Sequence, residues 1–305
     1  MSPQNVQFGD VPQISHVSQG APADVQFGAR PQISPQISHV TVLCADECSR
    51  ARAEGLSARL GAPLTFATDA PAGDAVSASG FVPDSGQLYL KVSRAGLALA
   101  RDGMELVPDF AEMLPRVRQG ALQREMLVRA ARIKGASCPH AVDATAGLGE
   151  DSFLLAAAGF SVTLCEADPV IAVLLEDALD RASRDEALAP IVSRMRLVEG
   201  DSRDVLARLG SDPATRPDVV YLDPMFPGRT KSAAVKKKFQ LIHGLERPTD
   251  PVDEGLLLQA AQDAHPRKIV IKRPVKGAHL AGVKPSHSVA GKAVRYDCIV
   301  PPQQA

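Results

Sequence analysis

A doubly wound, mostly parallel α/β sheet preceded by a small α+β module is the fold this sequence predicts, and three observations predict it. Beyond residue 135, short apolar runs alternate regularly with amphipathic stretches, which is the pattern of repeated βαβ units. Gly147 and Gly149 follow the first of those runs, where a strand hands over to a helix. Residues 41–107 carry closely spaced strand patterns and tight-turn signals instead, so they belong to a separate, smaller unit.

Taken in order, residues 1–40 are repetitive: Val6-Gln7-Phe8-Gly9 recurs at 25–28, and Pro-Gln-Ile-Ser occurs at 12–15, 31–34 and 35–38. Such short, proline-rich repeats cannot bury a core, so 1–40 reads as a disordered tail, a product of local duplication or of an upstream start. The module covers 41–118. A strand at Thr41–Leu43 leads to a helix over Glu47–Leu60 that Gly61 caps. Leu88, Leu90 and Val92 then share one strand face, with turns at Ala95-Gly96 and Asp102-Gly103.

The larger domain, 119–302, opens with a helix over Gly120–Ile133 whose exposed face is basic, with Arg124, Arg129 and Arg132. Strands are expected at 141–144, 161–165, 195–198, 219–222, 269–272 and 293–300. Helices are expected at 151–158, 170–182, 202–209 and 254–264. In such a sheet ligands bind beyond the carboxyl ends of the strands, at the switch in strand order.

Composition excludes several classes. The 305 residues are 45% hydrophobic and 23% charged with a formal net charge of −1, so nucleic-acid contact requires a local basic patch. No apolar run approaches a membrane span and no signal pattern opens the chain, which points to the cytoplasm. The five cysteines form no C-x-x-C, so reduced, mostly buried thiols are expected and no metal is assigned.

The strand ends carry the candidate chemistry. Asp143-Ala-Thr-Ala-Gly147-Leu-Gly149-Glu150-Asp151 is a glycine turn, and Glu166 ends the next strand, where an acid accepts the hydroxyls of a ribose. Ser152 replaces the third glycine of a dinucleotide fingerprint, and Glu150 and Asp151 crowd the pyrophosphate position. Two carboxylates repel phosphate and suit a cation, which favours S-adenosylmethionine, a nucleoside with no phosphate. Asp201 and Ser202 are placed for its adenine edge, and equally for a helix N-cap.

The fourth strand delivers Asp223-Pro224-Met225-Phe226-Pro227, a rigid exit from the sheet. A base amine is conjugated with its ring and is a poor nucleophile. The Asp223 carboxylate and the Pro224 carbonyl form an acceptor pair for its hydrogens, and Phe226 stacks on the base. Arg229, Lys231, Lys236, Lys237 and Lys238 read as a phosphate clamp, joined by Lys272 and Arg273, or as solvated faces.

Asp143-Ala-Thr-Ala-Gly-Leu-Gly149, Tyr221-Leu-Asp-Pro-Met-Phe-Pro227, Lys231-Ser-Ala-Ala-Val-Lys-Lys237 and Val270-Ile-Lys-Arg-Pro274 together resemble the RsmJ-type bacterial 16S ribosomal RNA (guanine-N2) methyltransferases over roughly 85–300. The resemblance implies a class I, Rossmann-like methyltransferase fold and S-adenosylmethionine as donor. Its contacts would fall on Glu150, Asp151, Glu166, Ala167, Asp201, Ser202 and Asp223, and small-subunit ribosomal RNA would be the partner. The family usually has Arg at the positions of Glu150 and Ala167 and a Ser pair at 201–202, so this chain departs there. A methyltransferase for another base amine, such as adenine N6, and a non-catalytic RNA-binding or ribosome-assembly factor are the alternatives.

Overall fold

The computed structural model describes residues 39–67, 84–224, 241–242, 245 and 254–301, and the structural statements below concern those residues. They fall within one compact unit, 33–305. The repeats of residues 1–38 lie outside them.

A five-stranded sheet comes first, in the order β2-β1-β3-β4-β5. Its strands are β1 (Val40–Cys44), β2 (Leu64–Phe66), β3 (Leu88–Ser93), β4 (Gly96–Arg101) and β5 (Met104–Leu106). β1 runs parallel to β2 and β3, and β3, β4 and β5 form an antiparallel meander. The expected helix divides into a 3₁₀ turn at Glu47–Ser49 and α1 (Arg50–Leu60), which ends at Gly61 with φ 59°. β2 was not foreseen, since three half-buried residues give too short a period to read.

A short helix, α2 (Leu114–Val117), connects to the second sheet. The helix expected over 120–133 is reduced to a 3₁₀ turn at Leu122–Arg124 and α3 (Met126–Ala131). Glu125 between them is extended, with ψ 126°. Its carboxylate is bonded to Arg116 at 2.8 and 2.9 Å, a long-range pairing that local spacing does not reveal.

The second sheet has seven strands: β6 (His140–Asp143), β7 (Ser161–Glu166), β8 (Met195–Glu199), β9 (Val219–Leu222), β10 (Lys268–Pro274), β11 (His287–Ala290) and β12 (Val294–Ile299). Their order is β11-β12-β10-β9-β6-β7-β8. The five strands β6 to β10 are parallel, β12 runs against β10, and β11 runs against β12. Strand order reverses between β6 and β9, so the ends of those two strands form the crevice. The helices α4 (Glu150–Ala157), α5 (Pro169–Ala182), α6 (Ala189–Val192), α7 (Ser202–Ser211) and α8 (Glu254–Asp263) complete the domain. β11 and α6 were not expected; β11 is mostly exposed and α6 buries only Val192, so neither carries the buried apolar run that marks the equally short β6 and β9.

α5 explains why its sequence is apolar nearly all round. Val170, Ile171, Val173 and Leu174 join the core of the first sheet, whereas Leu175, Ala178 and Ala182 join that of the second. A helix with two covered faces must be apolar on both. Its buried polar residue, Asp177, is 3% exposed and receives Leu97 N–H at 3.1 Å, Arg52 at 2.5 Å and Arg181 at 2.8 Å. Cys44, Cys165 and Cys298 are buried thiols, and Cys48 and Cys138 are exposed. No helix among the described residues is long and apolar enough to cross a membrane.

Candidate active site

The loop after β6 is shaped from within. Asp143, 1% exposed, accepts hydrogen bonds from the Thr145 N–H at 3.1 Å and from Ser152 Oγ at 2.6 Å. Ser152 therefore stands at the third glycine position because its hydroxyl ties the first turn of α4 back to the strand. Burial pushes the Asp143 carboxyl up to about 7, against the pull of those two hydrogen bonds. Gly149 has φ 77°, and a Cβ there would lie 2.8 Å from Leu175 Cδ1. Gly147 has φ 54°, and a Cβ there would meet nothing within 4 Å, so the loop turns a bare backbone toward open space.

Glu166 closes one side of that space. One carboxylate oxygen accepts the Gly147 N–H at 2.8 Å, and the other accepts the Asp168 N–H at 2.8 Å. Burial raises its pKa to about 7, and the Asp168 and Asp143 charges add to the rise while both backbone N–H groups oppose it. A carboxylate has about four acceptor positions, so two remain for a diol. Ala167 is exposed beside it, and Glu150 is exposed at the opening of α4.

At the end of β9 the chemistry changes from backbone to side chain. The Asp223 N–H donates to Thr145 Oγ1 at 2.7 Å and the Ala144 N–H to the Tyr221 carbonyl at 3.0 Å, so the glycine loop and the Asp223-Pro224 turn are stitched together. Lys272 Nζ lies 2.6 Å from Asp151 Oδ2 and 2.8 Å from Asp223 Oδ2, and Tyr221 donates its hydroxyl to Asp151 Oδ2 at 2.6 Å. The three charged side chains are 18%, 17% and 28% exposed, so water screens them weakly. Burial works against the Lys272 charge, but Asp151 and Asp223 together hold its pKa well above the usual lysine range. Burial also opposes ionisation of Asp151, and Lys272 overcomes it, keeping that carboxyl below the usual range. Burial raises the Tyr221 phenol well above its ordinary value, so Tyr221 acts as a donor only.

This geometry gives several of the predicted residues partners within the protein. Lys272, read from sequence as part of a phosphate clamp or a solvated face, pairs with two acids inside the site. Arg273, read with it, is 2% exposed and bonds Glu254 at 2.9 Å and the Ala278 carbonyl at 3.0 Å, which fixes the loop after β10 to α8. Asp151 offers no uncompensated charge to a cationic donor, because Lys272 and Tyr221 hold it. Of the two readings of Asp201, the N-cap is the one observed: its carboxylate accepts the Arg203 N–H at 2.8 Å and pairs with that guanidinium at 2.5 Å. Ser202 is buried at 9% exposure in the first turn of α7.

Asp143, Gly147, Gly149, Glu166 and Asp223 do come together around the β6–β9 crevice, and Pro224 is buried behind Asp223. Met225, Phe226, Pro227, Arg229, Lys231, Lys236, Lys237 and Lys238 lie outside the described residues. Sequence reasoning missed the linking roles of Thr145, Ser152 and Tyr221. Ser152 was the readable case, since a polar residue at a position meant for close packing calls for a buried partner.

Comparison with known proteins agrees with this architecture. A family model for SAM-dependent methyltransferases matches residues 81–301. A protein of Thioalkalivibrio sulfidiphilus named ribosomal RNA small subunit methyltransferase J is 42% identical, over 86% of this chain and 98% of that one. A protein of the same name from Pseudomonas aeruginosa is 40% identical, over 85% and 93%. The crystal structure of a SAM-dependent methyltransferase from Neisseria gonorrhoeae superposes with a TM-score of 0.63 at 29% identity, covering 87% of this chain and 97% of that one. Matched by the family model over residues 81–301 and similar to these relatives along most of their length, the chain belongs to the ribosomal RNA small subunit methyltransferase J family of SAM-dependent methyltransferases.

Proposed function

We propose that the protein transfers a methyl group from S-adenosylmethionine to the N2 amine of a guanine in 16S ribosomal RNA. The observation that carries this reading is the placing of Asp223: Lys272 and Thr145 fix it at the end of β9, across the crevice from the glycine loop and Glu166. S-adenosylmethionine fits the donor side, where Gly147 presents backbone to open space and Glu166 keeps acceptor positions for two ribose hydroxyls. When bound, it supplies a methyl group already activated on a sulfonium.

What remains for the chain is to aim the amine. Asp223, paired with the Lys272 ammonium, accepts one amine hydrogen, and the Pro224 carbonyl accepts the other. The amine is thereby turned out of conjugation and its lone pair is directed at the methyl group. The surplus proton leaves to solvent after transfer, since Lys272 is protonated already and Tyr221 is buried on Asp151. Phe226 is assigned to stacking on the guanine, and Arg229, Lys231 and Lys236–Lys238 to the RNA backbone, from sequence. Module 41–118 supports the donor loop, because Leu148 packs on the core of the first sheet. A cytoplasmic location and a small-subunit RNA or particle as partner accompany this reading.

Nucleoside analysis of 16S ribosomal RNA from a deletion strain tests it. Loss of one N2-methylguanosine, restored by complementation, is the expected result. An N6-methyladenosine product would transfer the activity to adenine, and donor binding without transfer to RNA or to particles would make the protein a non-catalytic factor.

A further inference from the structure

We propose that the edge of the seven-stranded sheet, where α3 lies against β11 and β12, grips the phosphate backbone of the RNA substrate. The inference rests on the reading above that the substrate is RNA, and it adds a surface apart from the basic run at 229–238.

Two segments build this edge. Residues 116–134 contain six Arg and Lys residues and one acid, Glu125, while residues 275–292 contain three lysines, two histidines and no acid, in a chain whose formal net charge is −1. The segments meet in space, for α3 packs on both β11 and β12, and a Cβ at Gly291 would fall 2.6 Å from Met126 Sδ. Arg118, Arg124, Arg129, Arg132 and Lys134 are exposed on the first segment, as are Lys276, Lys284 and Lys292 on the second.

Several cations elsewhere on the surface are paired with acids, and those of this edge are not. On α1, α5 and α7, Arg52, Arg59, Arg181 and Arg203 each hold a carboxylate, as does Arg184 just beyond α5. The single acid of the two segments, Glu125, is committed to Arg116, and Asp297 of β12 is buried and held by Arg295. None of the eight exposed cations has a carboxylate partner among the described residues. Like charges left unpaired along one edge repel one another, and a polyanion relieves that repulsion.

The position fits a substrate as well. β12 pairs with β10 so that Tyr296 lies opposite Lys272, and α3 packs on both of these strands, so the edge adjoins the strand that carries Lys272 into the site. Residues 118–134 and 275–292 contain no Phe, Tyr or Trp. Without stacking platforms the surface reads phosphates rather than bases, and it positions RNA whose target base is presented elsewhere.

The test is the full-length chain carrying Arg124→Glu, Arg129→Glu, Lys284→Glu and Lys292→Glu, with a Gln set at the same positions as the milder variant. Thermal unfolding and S-adenosylmethionine binding report that the fold is kept. Binding of a 16S ribosomal RNA transcript is then measured against salt, and methyl transfer against RNA concentration. The salt slope should fall by about 3, four contacts at roughly 0.7–0.9 each, with at least a ~10-fold rise in KM for RNA at low salt and kcat retained. The Gln set should lie between the parent and the Glu set. An unchanged slope and KM overturn the surface while leaving the methyltransferase reading intact. A parent chain that binds the transcript but transfers no methyl group rejects that reading alone, and the slope still decides the surface. Parent binding to phosphatidylserine vesicles that is lost in the Glu set, with RNA binding unaltered, overturns RNA as the occupant in favour of a membrane.

Discussion

The two sides of the crevice hold their carboxylates by different means. On the β6–β7 side, Asp143 and Glu166 are satisfied mainly by backbone N–H groups and a serine hydroxyl near them in sequence. On the β9–β10 side, Asp151 and Asp223 share a lysine that is 121 residues from Asp151. Backbone dipoles leave a buried carboxyl titrating near neutrality, whereas an ammonium locks it ionised. The donor side should therefore respond to pH near neutrality, and Asp151 should not.

The sharpest way to break this contrast is Asp223→Ala. Removal of an acceptor that acts at the transfer step should lower kcat by about 10²- to 10³-fold, comparable to loss of one preorganised hydrogen-bonding group. S-adenosylmethionine affinity should stay close to that of the parent, because Glu166 and the glycine loop are untouched. Near-parental turnover of this variant would remove Asp223 from the mechanism.

Lys272→Met follows in size. It leaves Asp151 and Asp223 buried together without their cation, a loss of about 3 kcal/mol or more in denaturant unfolding. Adding Asp151→Asn should restore part of that stability, since it removes one of the two stranded charges. If the double variant is no more stable than Lys272→Met, repulsion between the acids is not what Lys272 relieves.

The two sides also differ in how legible they are. Gly147, Gly149, Glu166 and the Asp-Pro turn are local patterns, because a tight backbone turn or a strand-end acid needs only its neighbours. Lys272 and Arg273 look alike in sequence, yet adjacent strand residues point to opposite faces, and each meets a different acid there. Reading both as one basic patch fails for that reason. Arg124, Arg129 and Arg132 were legible as cations, but their want of acidic partners depends on which segments pack beside them. Most strands and helices of the second domain were readable because they bury apolar runs, four-residue β6 and β9 included, whereas β11 is mostly exposed and α6 buries only Val192.

A smaller effect bears on the donor side. With a Glu166 pKa of about 7, the carboxylate is mostly protonated at pH 6, and a protonated carboxyl accepts fewer hydroxyl donors. S-adenosylmethionine affinity should therefore rise through pH 6–8 and level off above the pKa, by roughly 10-fold for each unit below it. Glu166→Gln should bind weakly and with a flattened profile, as calorimetry at several pH values would read. A parental slope in that variant would shift the titration to Asp143, whose pKa is also about 7.

The smallest expected effect separates the two readings of Asp201. As an N-cap to α7 it stabilises the helix by about 1 kcal/mol, so Asp201→Ala should cost that much in denaturant unfolding. Asp201→Asn should keep most of it, because an amide oxygen also accepts the Arg203 N–H. Neither change should alter donor affinity, since the carboxylate already bonds the backbone and the guanidinium of Arg203. A drop in S-adenosylmethionine binding beyond about 10-fold, at unchanged stability, would instead mean that Asp201 releases Arg203 when the donor arrives. The β8–α7 turn would then belong to the donor side, and the contrast would lie between three strand ends and two.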